Sequence, residues 1–93
     1  MSADARAARR QELADRLAAV REQLDAAARA AGREPSEVEL LTVTKFFPAS
    51  DVVLLHELGC TRFGESREQE ASAKITEFHE TVTEPVEWHM IGR

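Results

Sequence analysis

The pattern of apolar and polar positions divides the chain into one long amphipathic segment and several short apolar runs. From residue 3 to about residue 31, apolar side chains recur at steps of three and four, which predicts one long helix with a single apolar face. The apolar positions in this segment are Leu13, Leu17, Val20, Leu24, Ala27, Ala28 and Ala31. Gly32 suits the first position beyond a helix, and Pro35 follows shortly afterwards. The stripe is too short and too rich in alanine to favour a coiled coil, so we expect the helix to pack on its own domain.

The most apolar stretch of the chain covers about residues 38–46, and its β-branched and aromatic side chains predict a strand. Pro48 ends the stretch, because proline cannot donate a hydrogen bond to a neighbouring strand. Side chains alternate along a strand, so Leu41, Val43 and Lys45 are expected on one face. Both faces are rich in apolar residues, which is typical of a parallel sheet covered by helices on both sides. Lys45 is therefore expected where a buried strand emerges.

The remaining apolar runs alternate between helical and extended patterns. The predicted elements are a second helix over about 52–58, a strand over 60–64, a third helix from 65 to about 79 and a third strand over 86–92. Short strands that alternate with helices indicate right-handed crossovers and a parallel sheet, and hence an α/β fold of order α-β-α-β-α-β. Such a sheet would have an open edge directly before Arg93, so we expect the chain to be the N-terminal part of a larger fold.

Composition restricts the classes of function. The chain has 93 residues, one cysteine and a formal charge of −5, which fits one small domain without an internal disulfide. Residues 1–32 hold six arginines and five acidic residues, and residues 33–93 hold six basic and twelve acidic residues. This acidic balance argues against a nucleic acid as the partner. No run is long enough to cross a membrane and no signal peptide is evident, so we expect a cytoplasmic protein without a membrane partner.

Lys45 is one of only two lysines, and it allows two interpretations. In the first, its side chain extends past the end of the strand so that the ammonium group reaches water. In the second, the lysine is held partly out of water. Burial lowers the pKa of an amine, and the neutral form that results is a nucleophile toward aldehydes. The motifs on the other predicted strands bear on this choice.

Each predicted strand carries a short distinctive motif. The three motifs are Val43-Thr44-Lys45, Phe63-Gly64-Glu65-Ser66 and Trp88-His89-Met90-Ile91-Gly92. In a parallel α/β fold, the C-terminal ends of the strands converge on one site. In this order and at these separations, the motifs resemble those of the pyridoxal phosphate homeostasis protein family, which is related to the N-terminal barrel of alanine racemase. The resemblance covers nearly the whole chain, with one departure at Ser66, where the family usually has asparagine.

The resemblance implies a (β/α)8 TIM-type barrel with a long extra N-terminal helix. Residues 1–93 would be the N-terminal portion of this single barrel domain, with the leading helix over 1–32 and the first three strands with their helices over 38–93. It also implies pyridoxal 5′-phosphate (PLP) as the cofactor, held by Lys45 as a Schiff base. Ser66 and His89 would be secondary contacts. The groups that anchor the phosphate would lie in the remainder of the barrel.

The resemblance further implies intracellular PLP homeostasis, that is, buffering and delivery of the cofactor without catalytic turnover. PLP-dependent apo-enzymes would be the recipients, and the full-length protein would be a monomer. A related racemase is an alternative, but Lys45 is followed by Phe46-Phe47-Pro48 instead of the run typical of racemases, and the chain has no tyrosine. A small α/β interaction module without a cofactor is a third interpretation.

Individual residues also have ordinary structural explanations. Ser66 equally suits the N-cap of the third helix, with Gln69 completing a capping box. His89 fits almost equally well the role of a core histidine with satisfied hydrogen bonds. Phe63 and Trp88 are expected to pack in the core and not to stack on a cofactor. The spacings of His56, Cys60, His79 and His89 match no metal-ligand signature, so no metal site is expected.

Overall fold

A computed structural model describes residues 2–66 and 69–91 of the chain, apart from the side chain of Gln69. The chain divides into two compact units, Met1–Leu40 and Leu41–Arg93. The α-helices are α1 (Ala3–Ala30), α2 (Ala49–Glu57) and α3 (Gln69–Thr81), and the strands are β1 (Thr42–Val43), β2 (Arg62–Ser66) and β3 (Glu87–Ile91). The predicted order α-β-α-β-α-β is confirmed. No described helix combines the length and the apolar character that crossing a membrane requires.

Helix α1 makes up most of the first unit, and Gly32 is the first residue beyond its C-cap, as predicted. Ser2 caps its start, because the Ser2 hydroxyl accepts a hydrogen bond from the N–H of Ala5 at 3.1 Å. At its end, the Arg33 N–H donates to the Ala28 carbonyl at 2.8 Å, which is the pairing of a Schellman motif. Gly32 has a φ of +75°, a left-handed conformation that disfavours other residues.

Only part of the predicted apolar stripe on α1 is buried. Leu13, Leu17 and Ala28 are buried, whereas Val20 and Ala27 are exposed. The sequence period therefore locates the helix correctly but overestimates how many positions of its apolar face are buried. A short 3-10 turn, Pro35–Glu37, follows α1 within the same unit.

The second unit is built on a parallel sheet with the strand order β1-β2-β3. In the central register, Phe63 pairs with Thr42 on one side and with Trp88 on the other. Two consecutive right-handed crossovers place both connecting helices on the same face of such a sheet. Phe63 and Phe78 are fully buried between this face and α3, with ring centroids 5.9 Å apart, and they form the core of the unit as expected for Phe63.

Two predictions about the first strand are wrong. β1 covers only Thr42–Val43, because the chain turns directly after Thr44 instead of continuing extended to residue 46. The face that carries Leu41 and Val43 is also not buried in this chain, since these side chains are 38% and 46% exposed. The reason is that α2 and α3 lie on one side of the sheet, so neither helix covers the opposite face.

The start of the third helix also differs from the prediction. α3 begins at Gln69, and Ser66 is the last residue of β2, paired with Ile91. Residues 67 and 68 lie outside the described residues, so the N-cap assignment of Ser66 stays a prediction. Gly92, the final residue of the third predicted strand, also lies outside the described residues.

Candidate functional site

A pocket of about 540 Å³ opens where β1 and β2 end and α2 and α3 begin. This position agrees with the rule that ligands of parallel α/β folds bind at the C-terminal ends of the strands. The residues that line it are Lys45, Phe46, Phe47, Pro48, Glu65, Ser66, Glu70, Ala71 and Lys74. Two of the three site residues predicted from the sequence, Lys45 and Ser66, therefore share one pocket, together with the second lysine of the chain.

Lys45 lies in a tight turn directly after β1. The N–H of Phe47 donates to the carbonyl of Thr44 at 2.9 Å, which makes Lys45 and Phe46 the two central residues of a β-turn. Lys45 is half-buried, and its Nζ lies 5.2 Å from the ring centroid of Phe46, within range of a cation–π interaction. The Phe46 side chain is itself 87% exposed. Among the described residues, Lys45 forms no ion pair with a carboxylate.

A buried polar network fixes the residue that precedes Lys45. Thr44 is completely buried, and its N–H donates to the Gly64 carbonyl at 2.9 Å, which ties it to β2. The Thr44 hydroxyl donates to Oε2 of Glu65, and the Thr44 carbonyl accepts from Nζ of Lys74. The turn that carries Lys45 therefore starts from a residue held by its N–H, its carbonyl and its side chain.

Glu65 and Lys74 complete this network as an ion pair. Lys74 Nζ lies 2.7 Å from Glu65 Oε2. Glu65 is only 1% exposed, and the side chain of Lys74 is 13% exposed. A charge that is removed from water in this way requires a partner, and each of these residues supplies one to the other.

The pairing of Glu65 with Lys74 was not predicted from the sequence, although a signal for it exists. Alternation along β2 puts Glu65 on the same face as Phe63, and this is the face that the helices cover. On α3, Lys74 shares the face of Ala71 and Phe78 through steps of three and four residues. A carboxylate and an amine that both point into a core predict a buried pair.

His89 lies on the same face of the sheet as Ser66 but does not line the pocket. It pairs with Gly64, whereas Ser66 pairs with Ile91, two residues or about 6.6 Å further along β3. Its side chain is 44% exposed and its Nε2 lies 3.3 Å from Oε1 of Glu87. The interpretation of His89 as a core histidine is therefore wrong.

His79 is half-buried and packs on Phe78 and Trp88. Its Nδ1 donates to the carbonyl of Val82 at 2.9 Å, and its Nε2 accepts from the indole N–H of Trp88 at 3.1 Å. Trp88 also packs on Phe63 and Phe78, as expected for a core residue. Both His79 nitrogens are thus engaged at the end of α3 remote from the pocket.

The other residues considered as metal ligands are dispersed. His56 lies in the last turn of α2, with its Nε2 4.0 Å from Oε2 of Glu84, and Cys60 is buried after that helix. Within residues 2–66 and 69–91, no three His, Cys, Asp or Glu side chains are grouped so that they could hold a metal ion.

Comparison with known proteins gives a consistent answer. The chain is 53% identical to the pyridoxal phosphate homeostasis protein of Mycobacterium tuberculosis in an alignment 92 residues long, which covers 91% of this chain and 36% of that protein. Identity to the protein of the same name from Mycobacterium leprae is 50%, over 91% of this chain and 35% of that protein. For Escherichia coli the identity is 42%, over 87% of this chain and 35% of that protein.

No family model matches the chain. The chain spans about a third of the length of these curated relatives. The resemblance carried by the three strand motifs is nevertheless confirmed at the level of the whole chain. This chain is a homologue, over about a third of their length, of the proteins named pyridoxal phosphate homeostasis protein.

Proposed function

We propose that the chain binds PLP through Lys45 and serves intracellular PLP homeostasis. The observation that carries this proposal is the position of Lys45 in the pocket where β1 and β2 end. Of the two lysines that line the pocket, Lys74 is engaged by Glu65 and by the Thr44 carbonyl, whereas Lys45 forms no ion pair within the described part of the chain. Lys45 is therefore the amine that remains available to an aldehyde.

The pocket suits a small aromatic aldehyde. Its volume of about 540 Å³ lies within the range of small-molecule sites. Phe47 and Ala71 offer apolar surface to an aromatic ring, and the hydroxyl of Ser66 offers a donor and an acceptor. If PLP binds here, it would supply an aldehyde, and Lys45 would hold it through its amine nitrogen with release of one water molecule.

We assign secondary contacts to Ser66 and His89, and no residue to the phosphate. Ser66 lines the pocket, and His89 lies on the same sheet face about one pleat repeat away. The positive charge of Lys74 is balanced by Glu65, so it is not a free phosphate ligand. We further propose a carrier role in the cytoplasm, with PLP-dependent apo-enzymes as recipients and without catalytic turnover. The name of the curated relatives supports the link to PLP homeostasis.

The test is to trap the adduct and locate it. The chain is mixed with PLP, the absorption band of a Schiff base is recorded, and the adduct is reduced with borohydride and located by peptide mass spectrometry. We expect the label on Lys45, and we expect it to disappear in both Lys45→Ala and Lys45→Arg, since arginine keeps the charge but lacks the amine. The proposal is overturned if the native chain carries no label, or if the label is spread over Lys74 and the amino terminus.

A further inference from the structure

The pocket contains two primary amines, and a PLP site requires that only one of them reacts. We propose that Glu65 determines which lysine bonds to the aldehyde, by holding Lys74 as an ammonium ion and leaving Lys45 as the reactive amine. This inference rests on the proposed PLP function and names a specificity-determining residue for it.

The contacts of Lys74 support this assignment. Its Nζ lies 2.7 Å from Glu65 Oε2 and also donates to the Thr44 carbonyl. Oε2 of Glu65 has two partners, since it also accepts a hydrogen bond from the hydroxyl of Thr44. The carboxylate is 1% exposed, so water does not screen its charge from Lys74. Both contacts are made by hydrogens of the Lys74 ammonium group.

The chemical consequence follows from the electron count. An ammonium nitrogen has no lone pair, so it cannot bond to an aldehyde carbon until it loses a proton. Imine formation at Lys74 would therefore require separation of the ion pair, loss of the proton and loss of the donor to the Thr44 carbonyl. Lys45 must also lose a proton, but in the described part of the chain it has no ion pair to separate. Its neutral nitrogen would then bond to the aldehyde carbon, and one water molecule would leave.

The decisive variant is Glu65→Gln, which keeps the length of the side chain and an oxygen for the Thr44 hydroxyl but removes the charge. The variant and the native chain are reacted with PLP, reduced with borohydride, and compared by the share of label on each lysine. We expect the share on Lys74 to rise about tenfold in Glu65→Gln, because its ammonium form has lost its counter-ion. In Glu65→Gln combined with Lys74→Arg, the label should return to Lys45 alone.

Glu77→Gln is the matched control. Glu77 is an exposed carboxylate on α3, three residues from Lys74, and it is not among the residues that line the pocket. Its removal changes the net charge by the same amount and should leave the labelling ratio unchanged. A redistribution of label in Glu77→Gln equal to that in Glu65→Gln would overturn the assignment to Glu65, since it would reflect net charge alone.

A second measurement does not depend on the variant being folded. The native chain is methylated with formaldehyde and cyanoborohydride, and the rates at the two lysines are compared under native conditions and in denaturant. We expect Lys45 to react about tenfold faster than Lys74 in the folded chain, and the two rates to converge on unfolding.

Failure of the proposed function and failure of the role of Glu65 give different results. If the native chain carries no PLP on Lys45, the proposed function fails. If Lys45 is labelled and folded Glu65→Gln shows the native ratio, the function stands and the role of Glu65 is refuted. Equal methylation rates for the two lysines in the folded native chain would refute it as well.

Discussion

The replacement Lys74→Met tests the buried ion pair as a determinant of stability. Methionine has nearly the length of lysine and an apolar character that suits a helix face beside Ala71 and Phe78. The variant leaves the carboxyl group of Glu65, which is 1% exposed in the native chain, with the hydroxyl of Thr44 as its one partner among the described residues. It therefore isolates the cost of an uncompensated buried charge.

The magnitude follows from the burial of the two partners. Removing one partner of a buried ion pair costs about 3–5 kcal/mol. The side chain of Lys74 retains 13% exposure, which admits some water and favours the lower end, about 3 kcal/mol. The Thr44 carbonyl still accepts the N–H of Phe47, so its loss of the Lys74 donor adds little. For a domain of this size, the melting temperature should fall by about 12 °C or more.

The assay is urea denaturation followed by the fluorescence of Trp88, the single tryptophan of the chain. Its indole packs on Phe63 and Phe78 and donates to His79, so its emission reports the packing of the core. Adding Glu65→Gln to Lys74→Met should restore about 2 kcal/mol, because the unpaired charge is gone and the amide oxygen still accepts from Thr44.

Two results would refute this argument. One is a loss of less than about 1 kcal/mol in Lys74→Met, which is the range of a solvent-exposed pair. The other is a double variant whose loss equals the sum of the two single losses, since additivity would show that the side chains do not interact. Glu77→Gln serves as the surface control and should stay within about 0.5 kcal/mol of the native chain.

Two further predictions concern the backbone and the aromatic core. Gly32→Ala should destabilise the chain by about 1–2 kcal/mol, because alanine is strained at a φ of +75°. No atom lies within 4 Å of the added methyl group, so the backbone strain is the one cost expected. An unchanged thermal unfolding curve would contradict this reasoning. His79→Leu should lower the free energy of unfolding by about 1–3 kcal/mol, because it leaves the Trp88 N–H without its acceptor. Adding Trp88→Phe should recover part of this loss. A double-mutant cycle that shows no coupling between the two positions would contradict the prediction.

The sequence predicts the architecture well, because the architecture depends on local patterns. Apolar steps of three and four residues locate α1, and Gly32 locates its end, since both signals are encoded within a few residues of where they act. The extent of β1 is harder to predict. The propensity of residues 44–47 favours a strand, whereas the hydrogen bond from Phe47 to Thr44 closes a turn there.

The site is predicted in part. The motifs identify Lys45 and Ser66, and the topology brings both to one pocket. The Glu65–Lys74 pair was not predicted, because it joins a strand and a helix and depends on which faces meet. His79 was considered only as a metal ligand, and its role as the acceptor for Trp88 depends on packing that local sequence does not encode.

The strand order β1-β2-β3 has a consequence for how the sheet forms. Phe63 follows its partner Thr42 by 21 residues, and Trp88 follows its partner Phe63 by 25. Loop-closure entropy rises with the length of chain between paired residues, so short separations of this kind favour rapid folding. During synthesis, β2 leaves the ribosome after its partner β1, and β3 leaves after its partner β2. The sheet can therefore grow one strand at a time, in the order in which the chain is made.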